Sequence, residues 1–316
     1  MDNLTVSVSP HIHRKEDTAF IMRQVTFALI PAGIGGVWIF GLHALFIILT
    51  GVVSAVIFEW LIQKARGVKV TVLDTSAILT GLLLSYNLPP AVPLWLVAVG
   101  SFVAIAIAKQ AFGGLGRNIF NPALVGRAFL LAAWPAYMTV FVKPFDVIAG
   151  ATPLALLKEG KIAELVQLDL SYQDLFLGSR GGCIGEVCIL ALLIGAGYLL
   201  LRRIISYHAP LAFILVVGLF SWVFGQDGFF GGDFIFAVLS GGLVLGAFFM
   251  ATDYVTTPLT TKGQFIFGLG CGLITFVIRK WGGYPEGVSY SILIMNAVVP
   301  LIDRYIRPKK FWAVTK

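Results

Sequence analysis

Residues 142–185, VKPFDVIAGATPLALLKEGKIAELVQLDLSYQDLFLGSRGGCIG, form a polar stretch without an apolar run long enough to cross a membrane. A membrane-crossing helix needs roughly 17–25 apolar residues, or fewer where the helix is broken. Apolar segments of about that length lie on both sides of the stretch. It therefore divides the chain into two membrane-embedded halves.

The composition supports this division, since 58% of the 316 residues are hydrophobic and 12% are charged. The mean hydropathy is +0.90, and a soluble domain could not bury that much apolar surface. Glycine is frequent, as it is at helix interfaces in lipid. The composition predicts an all-α polytopic membrane protein. Residues 1–18 are polar, so we expect the first apolar span, rather than a cleaved signal peptide, to direct insertion.

Ten apolar segments are predicted to form transmembrane helices, five in each half. The first half, 20–141, contains segments at 20–40, 43–63, 75–88, 92–111 and 121–141. The second half, 186–303, contains segments at 186–202, 209–225, 234–251, 263–280 and 286–303. Residues 1–19 and 304–316 are predicted to be short termini, the second of them basic.

The positions of Lys and Arg predict the orientation, because cytoplasmic loops retain positive residues. Alternating the ten spans places 17 of the 23 basic residues on one side, namely Arg14, Lys15, Arg23, Lys64, Arg66, Lys69, Lys109, Arg117, Arg127, Arg202, Arg203, Lys262, Arg304, Arg307, Lys309, Lys310 and Lys316. Both termini are therefore expected to be cytoplasmic and residues 142–185 to face outward. The net charge of +7 then reflects topology rather than nucleic-acid binding.

Because five spans precede the central loop, the second half starts from the opposite face of the membrane. Any likeness between the two halves would therefore be an inverted repeat. A faint one is visible, because the run from Ser76 before Pro89-Pro90 is echoed by the run from Ser240 before Pro258. The third and eighth spans are therefore candidates for broken helices, whose ends tend to form ligand sites. The alternative is that the glycines in these runs only ease packing.

Polar residues at the ends of spans form three clusters that the predicted topology places toward the cytoplasmic face. They are Asp74, Thr75, Ser76 and Thr80; Asn118, Asn121 and Arg127; and Asp253, Thr256, Thr257, Thr260 and Thr261. Asn and Thr can hydrogen-bond a neutral heterocycle, whereas helix capping is the alternative for each Thr. Glu59, late in the second span, is expected to snorkel or to be paired, with ion movement as the alternative. Cys183, Cys188 and Cys271 lack the spacing of a metal site, and none is expected.

The central stretch contains the run Asp146-Val-Ile-Ala-Gly-Ala-Thr152-Pro153. The small residues Gly150 and Ala151 are expected to leave the Thr152 hydroxyl open to another protein's active site, with Asp146 as a recognition or metal contact. The run resembles the signature at which a flavin transferase esterifies FMN onto the final Thr. The alternative is an ordinary loop, in which Pro153 starts a helix.

Four ordered blocks carry a resemblance that covers nearly the whole chain. They are KQAFGGLGRNIFNPALVGR at 109–127, DTSAILTG at 74–81, ATDYVTTP at 251–258 and GGYPEGVSYS at 282–291. These blocks resemble the RnfD/NqrB family of membrane subunits from Rnf and Na+-translocating NADH:quinone oxidoreductase complexes. The short polar segment before the first span favours the RnfD branch.

The resemblance implies FMN in phosphoester linkage to Thr152, within a motif that includes Asp146, Gly150 and Ala151. The position three before Thr152 is usually Ser or Thr in the family but is Ala149 here, which removes a hydroxyl that the transferase could read. The resemblance also implies a non-covalent riboflavin near the cytoplasmic side, which we assign to Asn118, Asn121 and Thr80. No residue is expected to act as an acid, base or nucleophile.

The implied function is a flavin-carrying subunit of a ferredoxin:NAD+ oxidoreductase that relays electrons and couples them to Na+ or H+ transport. The implied partners are the other Rnf subunits (A, B, C, E and G) and a flavin transferase, in the cytoplasmic membrane of a bacterium or archaeon. Two alternatives remain: a solute channel of the urea-transporter kind, which shares the architecture of inverted five-helix repeats with broken helices, and a purely structural membrane scaffold.

Overall fold

The structure is a computed structural model that describes residues 17–142, 144, 149–161, 171–225 and 228–307. Helices occur in all ten of the apolar segments. Their bounds are Thr18–Phe40, Leu42–Ala65, Ser76–Tyr86, Leu94–Phe102 continuing as a π-helix over Val103–Gln110, Pro122–Ala133, Ile189–Leu201, His208–Val223, Phe234–Leu239 with Leu243–Leu245 and the π-helix Gly246–Met250, Thr261–Trp281, and Val288–Tyr305.

Three of these helices are long and apolar enough to cross a membrane, namely Thr18–Phe40, Leu42–Ala65 and Thr261–Trp281. The first two form a hairpin through Gly41 alone, whose φ of 78° is in the region that favours glycine. Five further apolar helices have 10–17 residues. The chain is therefore a helical membrane protein, as its composition predicts.

The third and eighth segments depart from a continuous membrane helix. Ser76–Tyr86 has 11 residues, which at 1.5 Å per residue reach only about half of a hydrocarbon core of roughly 30 Å. The eighth segment is interrupted over residues 240–242, between Leu239 and Leu243. Both interruptions lie among buried residues, where side chains rather than lipid can satisfy the free backbone groups.

Two predicted segment boundaries were wrong. The fifth α-helix ends at Ala133 rather than at 141, because Pro135 cannot continue the hydrogen-bond ladder and instead starts a four-residue helix, Pro135–Met138. The sixth helix starts at Ile189 rather than at 186. The residues just before it form a turn, in which Glu186 N–H donates to the carbonyl of Cys183, and the backbone N–H groups of Ile184 and Gly185 donate to the carbonyls of Leu88 and Tyr86 at 3.1 and 3.0 Å.

The central stretch contains regular structure as well as loop. Phe141–Val142 pairs antiparallel with Ala149–Gly150 in a two-residue ladder, a minor exception to the all-α prediction. Short helices follow at Pro153–Lys158 and Tyr172–Leu177. Asp146 and residues 162–170 lie outside the described residues.

Close backbone contact joins the second and third helices at two glycines. A Cβ added to Gly81 would lie 2.4 Å from the carbonyl oxygen of Gly51, and one added to Gly51 would lie 2.0 Å from Ser85 Oγ. Small residues at such crossings let helices in lipid approach closely. The contact positions Ser76–Tyr86, which carries part of the site described below.

We expect Gly81→Ala to destabilise the protein by about 1–3 kcal/mol, because the added methyl group forces the two backbones apart. Thermal unfolding of the detergent-solubilised protein measures the effect. Gly197→Ala is the matched control, since Gly197 is also helical and a Cβ there meets nothing within 4 Å. Equal unfolding temperatures for the two variants would contradict the proposed tight crossing.

Candidate functional site

Thr152 is the N-cap of the helix Pro153–Lys158. Its Oγ1 accepts a hydrogen bond from the backbone N–H of Ala155 at 3.2 Å, and the residue is 7% exposed. The prediction that its hydroxyl is open was wrong, because Thr followed by Pro is a favoured helix start and the hydroxyl is used as a cap. The oxygen is therefore less accessible than it would be in an open loop.

The helix that begins after Thr152 is held at its other end by Lys158. The Lys158 ammonium donates to the carbonyls of Ile278 and Tyr284 at 2.9 and 2.6 Å. Burial lowers the pKa of Lys158 from its ordinary value. On the preceding side, Gly150 is half-buried in the two-residue ladder and Ala151 is exposed. The side chain of Ala149 lies outside the part of the chain that the structure describes.

A second predicted site is assembled as a cavity. Thr80, Asn118 and Asn121 all line it, although Thr80 lies about 40 positions before the two Asn residues. The lining also includes Asp253 of the third polar cluster, its neighbours along the chain, and residues of the first helix; among them are Phe248, Phe249, Thr252, Tyr254, Met22 and Val25. The structure thus brings members of all three predicted polar clusters to one place.

The three predicted side chains differ in what they can offer a ligand. Asn121 caps the helix Pro122–Ala133, with its Oδ1 accepting from Ala123 N–H at 3.1 Å. Thr80 Oγ1 donates to the carbonyl of Ser76 at 2.9 Å. Asn118 donates from Nδ2 to the carbonyl of Phe120 at 3.1 Å, but its Oδ1 is buried without a partner. Since buried acceptors are nearly always paired, Asn118 is the side chain best placed to receive a ligand's N–H or O–H group.

A buried ion pair lies against the same cavity. Lys109 Nζ donates to Glu59 Oε2 at 2.9 Å and to Ser76 Oγ at 2.6 Å, and both charged side chains are 1% exposed. The amides of Gln63 and Gln110 donate to Glu59 Oε1 at 3.2 and 2.8 Å. Glu59 is therefore paired rather than snorkelling. The sequence does not identify its partner, which is 50 residues away.

A second buried ionic cluster surrounds the interruption at 240–242. Arg127 Nη2 donates to Glu286 Oε2 at 2.8 Å, and Glu286 Oε1 accepts from Gly242 N–H at 3.1 Å. Arg279 donates to the carbonyls of Ala237 and Ser240, and Arg180 donates to the carbonyls of Glu186 and Gly241. Charged side chains thus satisfy the backbone groups freed by the broken helix.

The second cluster differs from the grouping that the sequence predicts for Arg127. The sequence groups Arg127 with Asn118 and Asn121, on the same side as Arg117. The structure instead packs its guanidinium against Glu286, in the cluster that holds Arg180 and Arg279, two residues predicted to lie on the opposite side. The reason is that Arg127 lies five residues inside the helix Pro122–Ala133, on the side of the cluster rather than at the cavity.

The second cluster has several polar atoms without a protein partner. Among the described residues, seven buried side-chain atoms lack a hydrogen-bond partner, and five of them are in this cluster: Arg127 Nε, Arg180 Nε, Glu186 Oε2, Ser240 Oγ and Arg279 Nε. Buried polar groups of this kind are usually satisfied by ordered water. Sequence patterns do not single out Glu186 or Glu286, because only folding brings the arginines of three different segments around them.

In the part of the chain that the structure describes, these features define a helical membrane protein in which a cavity adjoins a buried ion pair and a separate ionic cluster surrounds a broken helix. The chain belongs to the NQR2, RnfD, RnfE family, which matches residues 5–312.

Three relatives show where in that family the chain lies. It is 49% identical, over 97% of its length and 96% of the relative's, to the D subunit of the proton-translocating ferredoxin:NAD(+) oxidoreductase complex of Clostridium ljungdahlii. It is 50% identical, over 99% and 96%, to the D subunit of the Na(+)-translocating ferredoxin:NAD(+) oxidoreductase complex of Acetobacterium woodii. It is also 35% identical, over 97% of both chains, to the D subunit of the ion-translocating oxidoreductase complex of an Escherichia coli strain.

Proposed function

We propose that this chain is the flavin-carrying membrane subunit of an Rnf-type ferredoxin:NAD+ oxidoreductase. The observation that carries the proposal is identity of about one half, over almost the full length, to two relatives named as D subunits of such complexes. In that role the chain works with the other Rnf subunits (A, B, C, E and G), and the enzymatic activity belongs to the assembly.

The proposed coupling is of electron transfer to the transport of Na+ or H+. The relative named as proton-translocating and the one named as Na(+)-translocating are 49% and 50% identical to this chain. Overall similarity therefore favours neither ion.

The proposed architecture has ten membrane crossings in two inverted repeats of five, with both termini cytoplasmic. Helices in each of the ten segments support it. So do the two irregular segments, because the short helix Ser76–Tyr86 is third in the first half and the interrupted segment is third in the second half. The distribution of Lys and Arg supports the orientation. In this orientation the cavity lies toward the cytoplasm and Thr152 lies on the outer side. The proposed location of the protein is the cytoplasmic membrane of a prokaryote.

Two flavin stations on opposite faces would suit electron transfer across a hydrocarbon core roughly 30 Å thick, which is wide for one hop. The first is FMN in phosphoester linkage to Thr152, attached by a flavin transferase within the motif that includes Asp146, Gly150 and Ala151. The second is a non-covalent riboflavin in the cavity at Asn118, Asn121 and Thr80. The protein's own part is to position each ring and to tune it by hydrogen bonds and charge.

The cavity side chains offer hydrogen-bonding groups that match those of a neutral flavin. The unpartnered Oδ1 of Asn118 can accept from the imide N–H or from a ribityl hydroxyl, and the Thr80 hydroxyl retains lone pairs for a donor. The apolar and aromatic lining, which includes Phe248 and Phe249, suits the faces of an isoalloxazine ring. Asn121 would act mainly by holding the helix start in place.

The cofactor content of the purified complex tests the proposed function. We expect one flavin that stays on this chain after denaturation and one that is released. A solute channel of the urea-transporter kind, or a structural scaffold, would show neither. A wild-type chain made together with its transferase and free of both flavins would exclude the proposal.

Asn118→Leu is expected to weaken non-covalent flavin binding roughly tenfold, because a hydrogen bond to a buried acceptor is lost. The released flavin per complex, measured by fluorescence after equilibration at limiting riboflavin, reports the change. Covalent flavin serves as the internal standard, and Ile119→Leu, at the half-exposed neighbouring residue, is the matched control. Unchanged riboflavin binding in Asn118→Leu would refute the assignment of this residue.

A further inference from the structure

Lys109 is a buried cation in the wall of the cavity. Its side chain is 1% exposed and lines the cavity together with Ser76, Thr80 and Asn118. A Lys ammonium has three N–H donors. Two of them donate to Glu59 Oε2 and Ser76 Oγ, which leaves the third for a group in the cavity.

The arrangement around this ion pair is asymmetric. Lys109 lines the cavity, whereas Glu59 does not and lies behind it. Glu59 also accepts hydrogen bonds from Gln63 and Gln110, which hold the carboxylate on the far side of the ammonium. The cavity therefore meets the positive end of the pair. Asp253, an acidic residue of the lining, accepts from the hydroxyl of Thr256 at 3.1 Å.

A local change in helix geometry puts Lys109 in this position. Residues Val103–Gln110 are π-helical, and the N–H of Ala111 donates to the carbonyl of Ala106, five residues before it, at 2.9 Å. The wider turn lets the adjacent side chains of Lys109 and Gln110 both reach Glu59. Such π-helical insertions occur frequently at functional sites.

We propose that Lys109 is a positioning residue that raises the reduction potential of the flavin in this cavity, with Glu59 as its counter-ion. The inference rests on the proposed non-covalent flavin and gives a role to two residues outside its proposed binding set of Asn118, Asn121 and Thr80.

The physical basis is the charge that a flavin gains on reduction. A flavin ring that takes up one electron and no proton, or two electrons and one proton at N5, carries one negative charge near N1 and the C2 carbonyl. The electrons come from the ferredoxin-dependent complex. A nearby ammonium in a low-dielectric site stabilises that charged, reduced form relative to the neutral, oxidised one.

Opposite charge changes at the two members of the pair test the proposal. Lys109→Gln is expected to lower the equilibrium constant for reduction of the non-covalent flavin about tenfold. For one electron, this corresponds to a reduction potential lower by about 59 mV. Glu59→Gln keeps the ammonium, removes its counter-charge and is expected to shift the constant in the opposite direction. Lys109→Arg keeps the charge and is expected to remain near wild type, and the charge-neutral double variant is expected to lie between the single variants.

Spectroelectrochemical titration of the purified complex measures these shifts, and the covalent flavin is the internal reference because it should not move. Shifts of opposite sign for Lys109→Gln and Glu59→Gln support the inference, since a purely structural ion pair has no reason to produce them. Shifts of one sign, or none, with flavin bound would overturn it while leaving the proposed function intact.

Two further outcomes are also decisive. Where Lys109→Gln binds no flavin, Glu59→Gln decides the matter alone, because the potential must then rise, and an unchanged or lower potential overturns the inference. A wild-type complex without releasable flavin would overturn the proposed site and this inference together.

Discussion

Thr152→Ala is expected to abolish covalent flavin on this chain, whereas Thr152→Ser is expected to retain it. The phosphoester needs a side-chain hydroxyl, which Ala lacks and Ser keeps. In-gel ultraviolet fluorescence of the denatured chain, made together with its transferase, measures the label. Ser also preserves the cap on the helix Pro153–Lys158, so it controls for damage to local structure.

The burial of Thr152 adds a structural requirement to this prediction. Its Oγ1 caps the helix, and the residue is 7% exposed, so we expect the first turn to open before a phosphoryl group is attached. The remainder of the helix is tied to the carbonyls of Ile278 and Tyr284 through Lys158. The label is therefore expected to be added before this helix docks or while it is displaced. A fluorescent Thr152→Ala band would show that another residue carries the flavin.

Glu286→Ala is expected to destabilise the protein by about 3–5 kcal/mol, because it removes one partner of a buried ion pair. Arg127 and Glu286 side chains are 10% and 13% exposed and meet at 2.8 Å. Without Glu286, the buried guanidinium loses the carboxylate that it hydrogen-bonds, and Gly242 N–H loses its acceptor. Both the unfolding temperature in detergent and the yield of folded protein are expected to fall.

The matched control for this loss is an exposed ion pair in the same protein. Lys161 and Glu159 meet at the same distance, 2.8 Å, but their side chains are 50% and 53% exposed. Exposed pairs contribute little because water screens them, so Glu159→Ala is expected to leave the unfolding temperature nearly unchanged. Similar small effects for Glu286→Ala and Glu159→Ala would contradict the structural role assigned to the buried cluster.

The apolar runs predict where the helices lie because burial in lipid requires long, predominantly apolar segments with internal hydrogen bonds. The run from 263 to 280 is one such case, within the helix Thr261–Trp281. The same pattern overextends the fifth segment, since hydropathy continues past Ala133 while Pro135 ends the α-helix. Hydropathy reflects the surrounding solvent, and local backbone chemistry decides where a helix ends.

The cavity is predictable in outline because its polar residues sit at the ends of segments that the proposed topology brings to one face. Thr80, Asn118 and Asn121 follow from that reasoning and line one cavity. The ion pairs are not predictable in the same way. The residues of one pair, Glu59 and Lys109, are 50 positions apart, and those of the other are 159 apart, so only packing in three dimensions identifies the partners. The buried cap at Thr152 likewise depends on how its helix docks.

Mass spectrometry of the tryptic peptide 128–158 from the denatured wild-type complex tests the central claim most directly. This peptide contains Thr152, because Pro144 blocks cleavage after Lys143. The account predicts that the peptide carries the added mass of FMN in phosphoester linkage and that fragmentation places it at Thr152. An unmodified peptide from a complex matured with its transferase, or flavin located on another residue, would contradict the account.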